Sequence, residues 1–164
     1  VSPVLALYGG LYHWFPSVTG RMLDDRLGKI HFWITFVGTY LIYFPMHYIG
    51  FLGVPRRYYS NQQYDFIPDS VADLNQFITI CALIVGASQF ILLYNFVNSA
   101  IRGKKASKNP WGACTLEWQT LESPPGHGNW GDQLPVVYRW PYDYGLPGAT
   151  ADFVPQNVPD EQIT

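Results

Sequence analysis

An all-α membrane protein is the predicted fold class, and three observations predict it. Charged residues make up 13% of the 164-residue chain and apolar residues 48%, whereas charges normally supply about a quarter of a soluble domain. Residues 30–55 and 74–101 carry no formal charge, and each run exceeds the ~20 mainly apolar residues that a helix needs to cross a bilayer. Seven of the ten basic residues (Arg21, Arg26, Lys29, Arg102, Lys104, Lys105 and Lys108) flank these runs on what would be one membrane side.

The first segment, residues 1–16, is also apolar and uncharged but would reach only about 24 Å as a helix. It has neither the positive start nor the small-residue end of a signal peptide. It reads as the end of a longer membrane helix. Full helices follow at about residues 29–53 and 72–102, so residues 1–108 form a transmembrane region. A soluble bundle would need charged faces on both long helices, and neither run has one.

The loop of residues 54–73 sets Arg56 and Arg57 beside Asp65, Asp69 and Asp73. The positive-inside rule therefore places this loop outside and the seven basic residues in the cytoplasm, or in the matrix of an organelle. Trp14, Phe15, Trp33, Tyr43, Tyr48, Tyr58 and Tyr59 fall near span ends, as an interfacial aromatic belt requires. Pro45 predicts a kink near the outer end of its helix. Gly38, Gly86, Ala87 and Ser88 offer small surfaces for close helix contact, and Gln76, Gln89, Asn95 and Asn98 are expected to face protein.

From residue 109 the character changes. The last 56 residues hold eight prolines and four tryptophans and keep no helical or strand period. Residues 109–164 form a mostly irregular cytoplasmic tail whose aromatic content suits docking on a protein surface.

A net charge of −2 excludes a nucleic-acid binder, and two cysteines do not make a disulfide scaffold. Cys81 and Cys114 read as free thiols. His13, His31, His47 and His127 are scattered; His31 and His47 stand about 24 Å apart along one helix and cannot share a metal. No catalytic residue and no metal ligand is expected within this chain. The informative peptide is Pro55-Arg56-Arg57-Tyr58. Two guanidinium groups at a span end, against the topology bias, suit a bound carboxylate or phosphate; interfacial snorkelling is the blander reading.

The motifs HWFP, KIHF, YFPMH, PRRY and NPWGACTLEW, in that order, resemble the last third of subunit I of the haem–copper terminal oxidases, over residues 1 to about 130. The resemblance implies the carboxyl end of a twelve-helix bundle. It implies an oxidoreductase that passes electrons from cytochrome c to dioxygen, forms water and pumps protons. Two haems and copper belong to the full subunit. Arg56 and Arg57 would contact haem propionates, and Ile42, Tyr43, Met46, Thr79 and Leu83 would line the low-spin haem pocket. The metal ligands lie upstream in the family. Implied partners are the rest of subunit I, subunits II and III, cytochrome c and the lipid of a bacterial cytoplasmic membrane or an equivalent energy-transducing membrane. Quinol-oxidising relatives resemble TRRL where this chain has PRRY and lack the NPWG pattern, which favours cytochrome c as donor. A quinol oxidase, or a non-catalytic membrane anchor or assembly protein, are the alternatives.

Overall fold

The computed structural model describes residues 2–57, 59–60, 64–120, 129–130, 134–143, 147–148 and 151–162. Three α-helices dominate: α1 (Ser2–Thr19), α2 (Asp25–Phe51) and α3 (Ser70–Arg102). Two 3-10 turns follow, at Leu116–Trp118 and Asp160–Gln162. No strand occurs among the described residues; Arg21 and Lys105 form an isolated antiparallel bridge. His127 and Tyr58 lie outside the described residues, as does most of the ESPPGHGN peptide.

Among the described residues, α3 is the helix both long and apolar enough to cross a membrane, and little of that stretch is buried. In α2, His31, Trp33, Tyr40, Tyr43, His47 and Tyr48 dilute the aliphatic content. The absence of charge beyond Lys29, not high hydropathy, is what distinguishes α2 in sequence.

The chain divides into two compact units. The first, residues 24–98, is the pair α2 and α3. Asp24 caps α2: its backbone is extended (φ −69°, ψ 119°) and its carboxylate accepts the Leu27 N–H at 2.9 Å. This satisfies one of the donors that a helix start leaves unpaired. At α3, Asp73 lies in the first turn and Arg102 in the last, complementing the helix dipole.

The two helices run antiparallel along a polar seam. Asn95, fully buried, donates to the Asp24 carbonyl and accepts from the Asp24 N–H, both at 3.0 Å. His31 Nε2 donates to Gln89 Oε1 at 3.2 Å, and the Thr35 and Ser88 hydroxyls lie 3.4 Å apart. Gly38 then meets Val85 so closely that a Cβ there would collide with it. In an apolar medium, where hydrophobicity does not drive helices together, small residues and interhelical hydrogen bonds carry the association. Beyond the seam, Ile49, Val71 and Ile78 form an apolar core, with Ile42, Leu52, Val54, Ile67 and Leu74 packed against it.

Some expected contacts are absent from this unit. A Cβ on Gly86 would meet nothing within 4 Å, and Ala87 and Gln76 are exposed. All three point away from α2, because a helix buries only one stripe against a single partner. On α2, Phe32 stacks on Phe36 (5.5 Å between centroids) and Phe36 meets Tyr40 edge-on (5.2 Å). This outer ladder follows the four-residue repeat of a helix.

The second unit holds residues 2–23 and 99–164. α1 ends at Gly20, whose φ of 68° suits a residue without Cβ; its N–H returns to the Pro16 carbonyl at 2.8 Å. Residues 20–22 then run beside residues 103–106. Met22 N–H reaches the Lys104 carbonyl (2.8 Å), Ala106 N–H reaches the Gly20 carbonyl (2.9 Å), and the Arg21 guanidinium donates to the Gly103 carbonyl at 2.7 Å.

The tail docks on α1 through indole N–H groups. Trp111 donates to the His13 carbonyl (3.0 Å), Trp118 to His13 Nε2 (3.3 Å) and Trp14 to the Glu117 carboxylate (3.2 Å). Phe15, expected at an interface, is 3% exposed. Gln156 ties the later tail together: its N–H donates to the Cys114 carbonyl, its side-chain oxygen accepts from Leu116 N–H, and its amide donates to the Arg139 carbonyl.

Candidate anion-binding site

The site begins with the helical period of α2. Tyr43, Met46, His47 and Gly50 stand at i, i+3, i+4 and i+7, so they share one face; Phe51 extends it to the helix end. The chain then turns sharply. Leu52 N–H returns to the Tyr48 carbonyl at 3.1 Å, and Gly53 adopts φ 85°, a left-handed conformation that glycine reaches freely. Val54 and Pro55 follow, and Arg56 comes back beside the last two turns of α2. Tyr43, Met46, His47, Gly50, Phe51 and Arg56, all exposed, line a shallow open cleft of about 620 Å³.

The lining has a clear chemistry. Two rings and a thioether make an apolar wall, and Arg56 supplies a fixed positive charge. A Cβ on Gly50 would meet nothing within 4 Å, so a flat group can approach the α2 backbone there. His47 Nδ1 donates to the Tyr43 carbonyl at 2.7 Å. Pro45 sits between them in the same helical stretch and has no N–H to offer the Leu41 carbonyl.

Tyr43, Met46 and Arg56 are thus brought together. Arg57 does not line this cleft; its φ is 62°, a left-handed backbone that costs a non-glycine residue about 1 kcal/mol or more. Ile42 packs against the Ile49, Val71 and Ile78 core, one helical step away from the Tyr43 face. Thr79 and Leu83 on α3 are exposed and lie outside this cleft. His47, Gly50 and Phe51 were missed in sequence. The signal was available: they continue the three-and-four spacing from Tyr43 toward the arginine pair.

A second cleft, of about 530 Å³, lies in the other unit, lined by residues including His13, Trp111, Cys114, Glu117, Trp118 and Phe153. His13 stacks on Trp111 (5.9 Å, 15°) and meets Trp118 edge-on (5.2 Å, 82°). Burial pushes the Cys114 thiol above its ordinary range, with the Arg139 guanidinium acting in the opposite sense. Cys81 and Cys114 are both free thiols. Among the described residues, no group of three or more His, Cys, Asp or Glu side chains stands together as a metal site.

The family described as "Cytochrome C and Quinol oxidase polypeptide I" matches residues 2–107. The chain is 60% identical over 159 residues to the alternative cytochrome c oxidase subunit 1 of Bradyrhizobium diazoefficiens, covering 97% of this chain and 27% of that protein. It is 46% identical over 143 residues to cytochrome c oxidase subunit 1 of Thermostichus vulcanus, covering 87% and 24%. It is 41% identical to a haem–copper oxidase subunit I+III of Aeropyrum pernix, covering 82% and 16%. The first of these likenesses reaches into the irregular tail beyond residue 130. The chain spans about a quarter of the length of the first two relatives. The motifs, the helical membrane architecture and the matched stretch agree: this chain belongs to the cytochrome c and quinol oxidase polypeptide I family, as part of a subunit I.

Proposed function

We propose that this chain is the carboxyl-end part of subunit I of a cytochrome c oxidase, an enzyme that passes electrons from cytochrome c to dioxygen, forms water and pumps protons. Its share is structural and electrostatic. α2 and α3 both cross a bacterial cytoplasmic membrane or its equivalent, as two of twelve helices, with the Arg56 loop outside and the tail on the cytoplasmic side. The rest of subunit I supplies the ligands for two haems and copper, and subunits II and III complete the assembly. The haem, when bound, supplies the one-electron redox chemistry.

The observation that carries this reading is the cleft that joins Arg56 to Tyr43 and Met46. Its donor set fits a haem edge: apolar groups for the macrocycle and a guanidinium fork for a carboxylate. Arg56 would hold a propionate there, and Arg57, in the next position, would reach the same carboxylate region from its strained backbone. Both charges would disfavour the oxidised, more positive state of the centre. PRRY and the NPWG tail, together with the relatives named cytochrome c oxidase, favour cytochrome c over quinol as donor. Membership of a catalytic-subunit family favours an enzyme part over a mere anchor.

The test is Arg56→Gln in the assembled oxidase. The midpoint potential of the low-spin haem should fall, with haem content preserved. An unchanged potential and unchanged spectrum would remove Arg56 from the haem environment.

A further inference from the structure

We infer that the strap joining the ends of α1 and α3 binds the phosphate of an acidic phospholipid, held between Arg21 and Lys105. The inference lies outside the Arg56 cleft and takes from the proposed function only the placement of the tail on the cytoplasmic side of the membrane.

Three features lead there. First, Arg21 and Lys105 stand directly opposite each other in the isolated antiparallel bridge. Met22 N–H on the Lys104 carbonyl and Ala106 N–H on the Gly20 carbonyl flank them. That pattern is a non-hydrogen-bonded pair, whose two side chains leave the same face with Cβ atoms about 5 Å apart. Like charges so placed repel each other. The segments are packed too closely to part easily: a Cβ on Gly103 would collide with the Ser99 and Met22 carbonyls. Second, nothing acidic answers these charges. Residues 1–23 and 99–116 contain no Asp or Glu, and they carry Arg21, Arg102, Lys104, Lys105 and Lys108. Among the described residues, no acid lies within ion-pair distance of any of the five. Third, apolar side chains lie open close by in sequence. Val18 and Ile101, each in the last turn of its helix, are 75% and 65% exposed.

The chemistry follows from these positions. An anion between Arg21 and Lys105 turns one repulsion into two attractions. Arg21 donates one N–H to the Gly103 carbonyl at 2.7 Å, and a guanidinium has further donors for a phosphate. Lys104, Lys105 and Lys108 are exposed and raise the local positive potential. A free phosphate gains from the charges alone. A phospholipid gains apolar contacts as well, its acyl chains lying along the open helix ends. The cytoplasmic leaflet also concentrates acidic head groups where a basic juxtamembrane segment meets it. Each cation at such a surface favours an acidic over a neutral lipid by about fivefold.

The experiment titrates the delipidated, assembled oxidase with phosphatidylglycerol or phosphatidylcholine and follows the retained lipids by native mass spectrometry. The parent is compared with Lys105→Gln and with Lys105→Arg, which keeps the charge. Phosphatidylglycerol should bind one site about fivefold more weakly in Lys105→Gln and as in the parent in Lys105→Arg. Phosphatidylcholine should respond to neither change, and millimolar inorganic phosphate should leave the bound lipid in place. Lys105→Met supplies the same readout if the glutamine variant fails to assemble. Equal phosphatidylglycerol affinity in the parent and the neutral variant overturns the inference. Displacement of the lipid by inorganic phosphate also overturns it, because the site would then be one for free anions. A lowered haem potential in Arg56→Gln together with unchanged lipid binding in Lys105→Gln retains the propionate reading and removes the lipid site.

Discussion

The buried amide of Asn95 answers both backbone hydrogen-bonding groups of Asp24, giving to the carbonyl and taking from the N–H at 3.0 Å each. One side chain on α3 thereby ends the chain's approach to α2 in a fixed register, 71 positions away in sequence. Replacing Asn95 by Leu keeps the volume and removes both bonds; the Asp24 carbonyl retains the Gly28 N–H at 3.0 Å, and the Asp24 N–H loses its Asn95 acceptor. The expected cost is about 2 kcal/mol, since a buried group left without a partner loses ~1–3 kcal/mol. Chemical unfolding of the purified oxidase in detergent, comparing denaturation midpoints, measures it.

Gly38 packs against Val85 across the same pair, with no room for a Cβ. A methyl at Gly38 has no space, so Gly38→Ala should force the helices apart and cost about 1–3 kcal/mol. The double variant Gly38→Ala with Val85→Ala should recover most of the loss. If it does not, the contact is not where the helices are held. The same unfolding midpoints provide the comparison.

Arg57 separates stability from function. Its left-handed backbone (φ 62°) is tolerated by Asn at little cost. Arg57→Asn should leave stability within about 0.5 kcal/mol, while lowering the low-spin haem potential through the lost charge. Arg57→Val should reach the same potential and lose about 1–2 kcal/mol of stability besides, because a β-branched residue resists positive φ.

Cys114 makes the tail sensitive to alkali. Burial holds its thiol in the neutral form, against a smaller opposing pull from Arg139. A raised folded value means that the folded tail binds the proton more tightly than the unfolded one. The associated stability is therefore complete at neutral pH and lost as pH rises from the ordinary thiol range, ~8.5, through the raised value. Alkylation of Cys114 should be slow at pH 7 and accelerate above pH ~9, and Cys114→Ala should remove this contribution to the alkaline loss of tail protection against protease.

The sequence by itself determined the helical membrane class, because long stretches without charge admit few other solutions. It also determined the family, through motifs whose order is specific, and it set apart the Arg56–Arg57 pair, with Tyr43 and Met46 named through the family resemblance. Tertiary structure decided what periodicity leaves open. Gly38 and Ser88 meet the partner helix while Gly86 and Ala87 do not, because only one stripe of α3 faces α2. Ile42 joins the apolar core, and His47 joins Arg56, because the turn at Gly53 sends the chain back along a particular face. A linear pattern gives each residue's place on its own helix; which face receives the returning chain depends on the turn, and the turn is a property of the folded molecule.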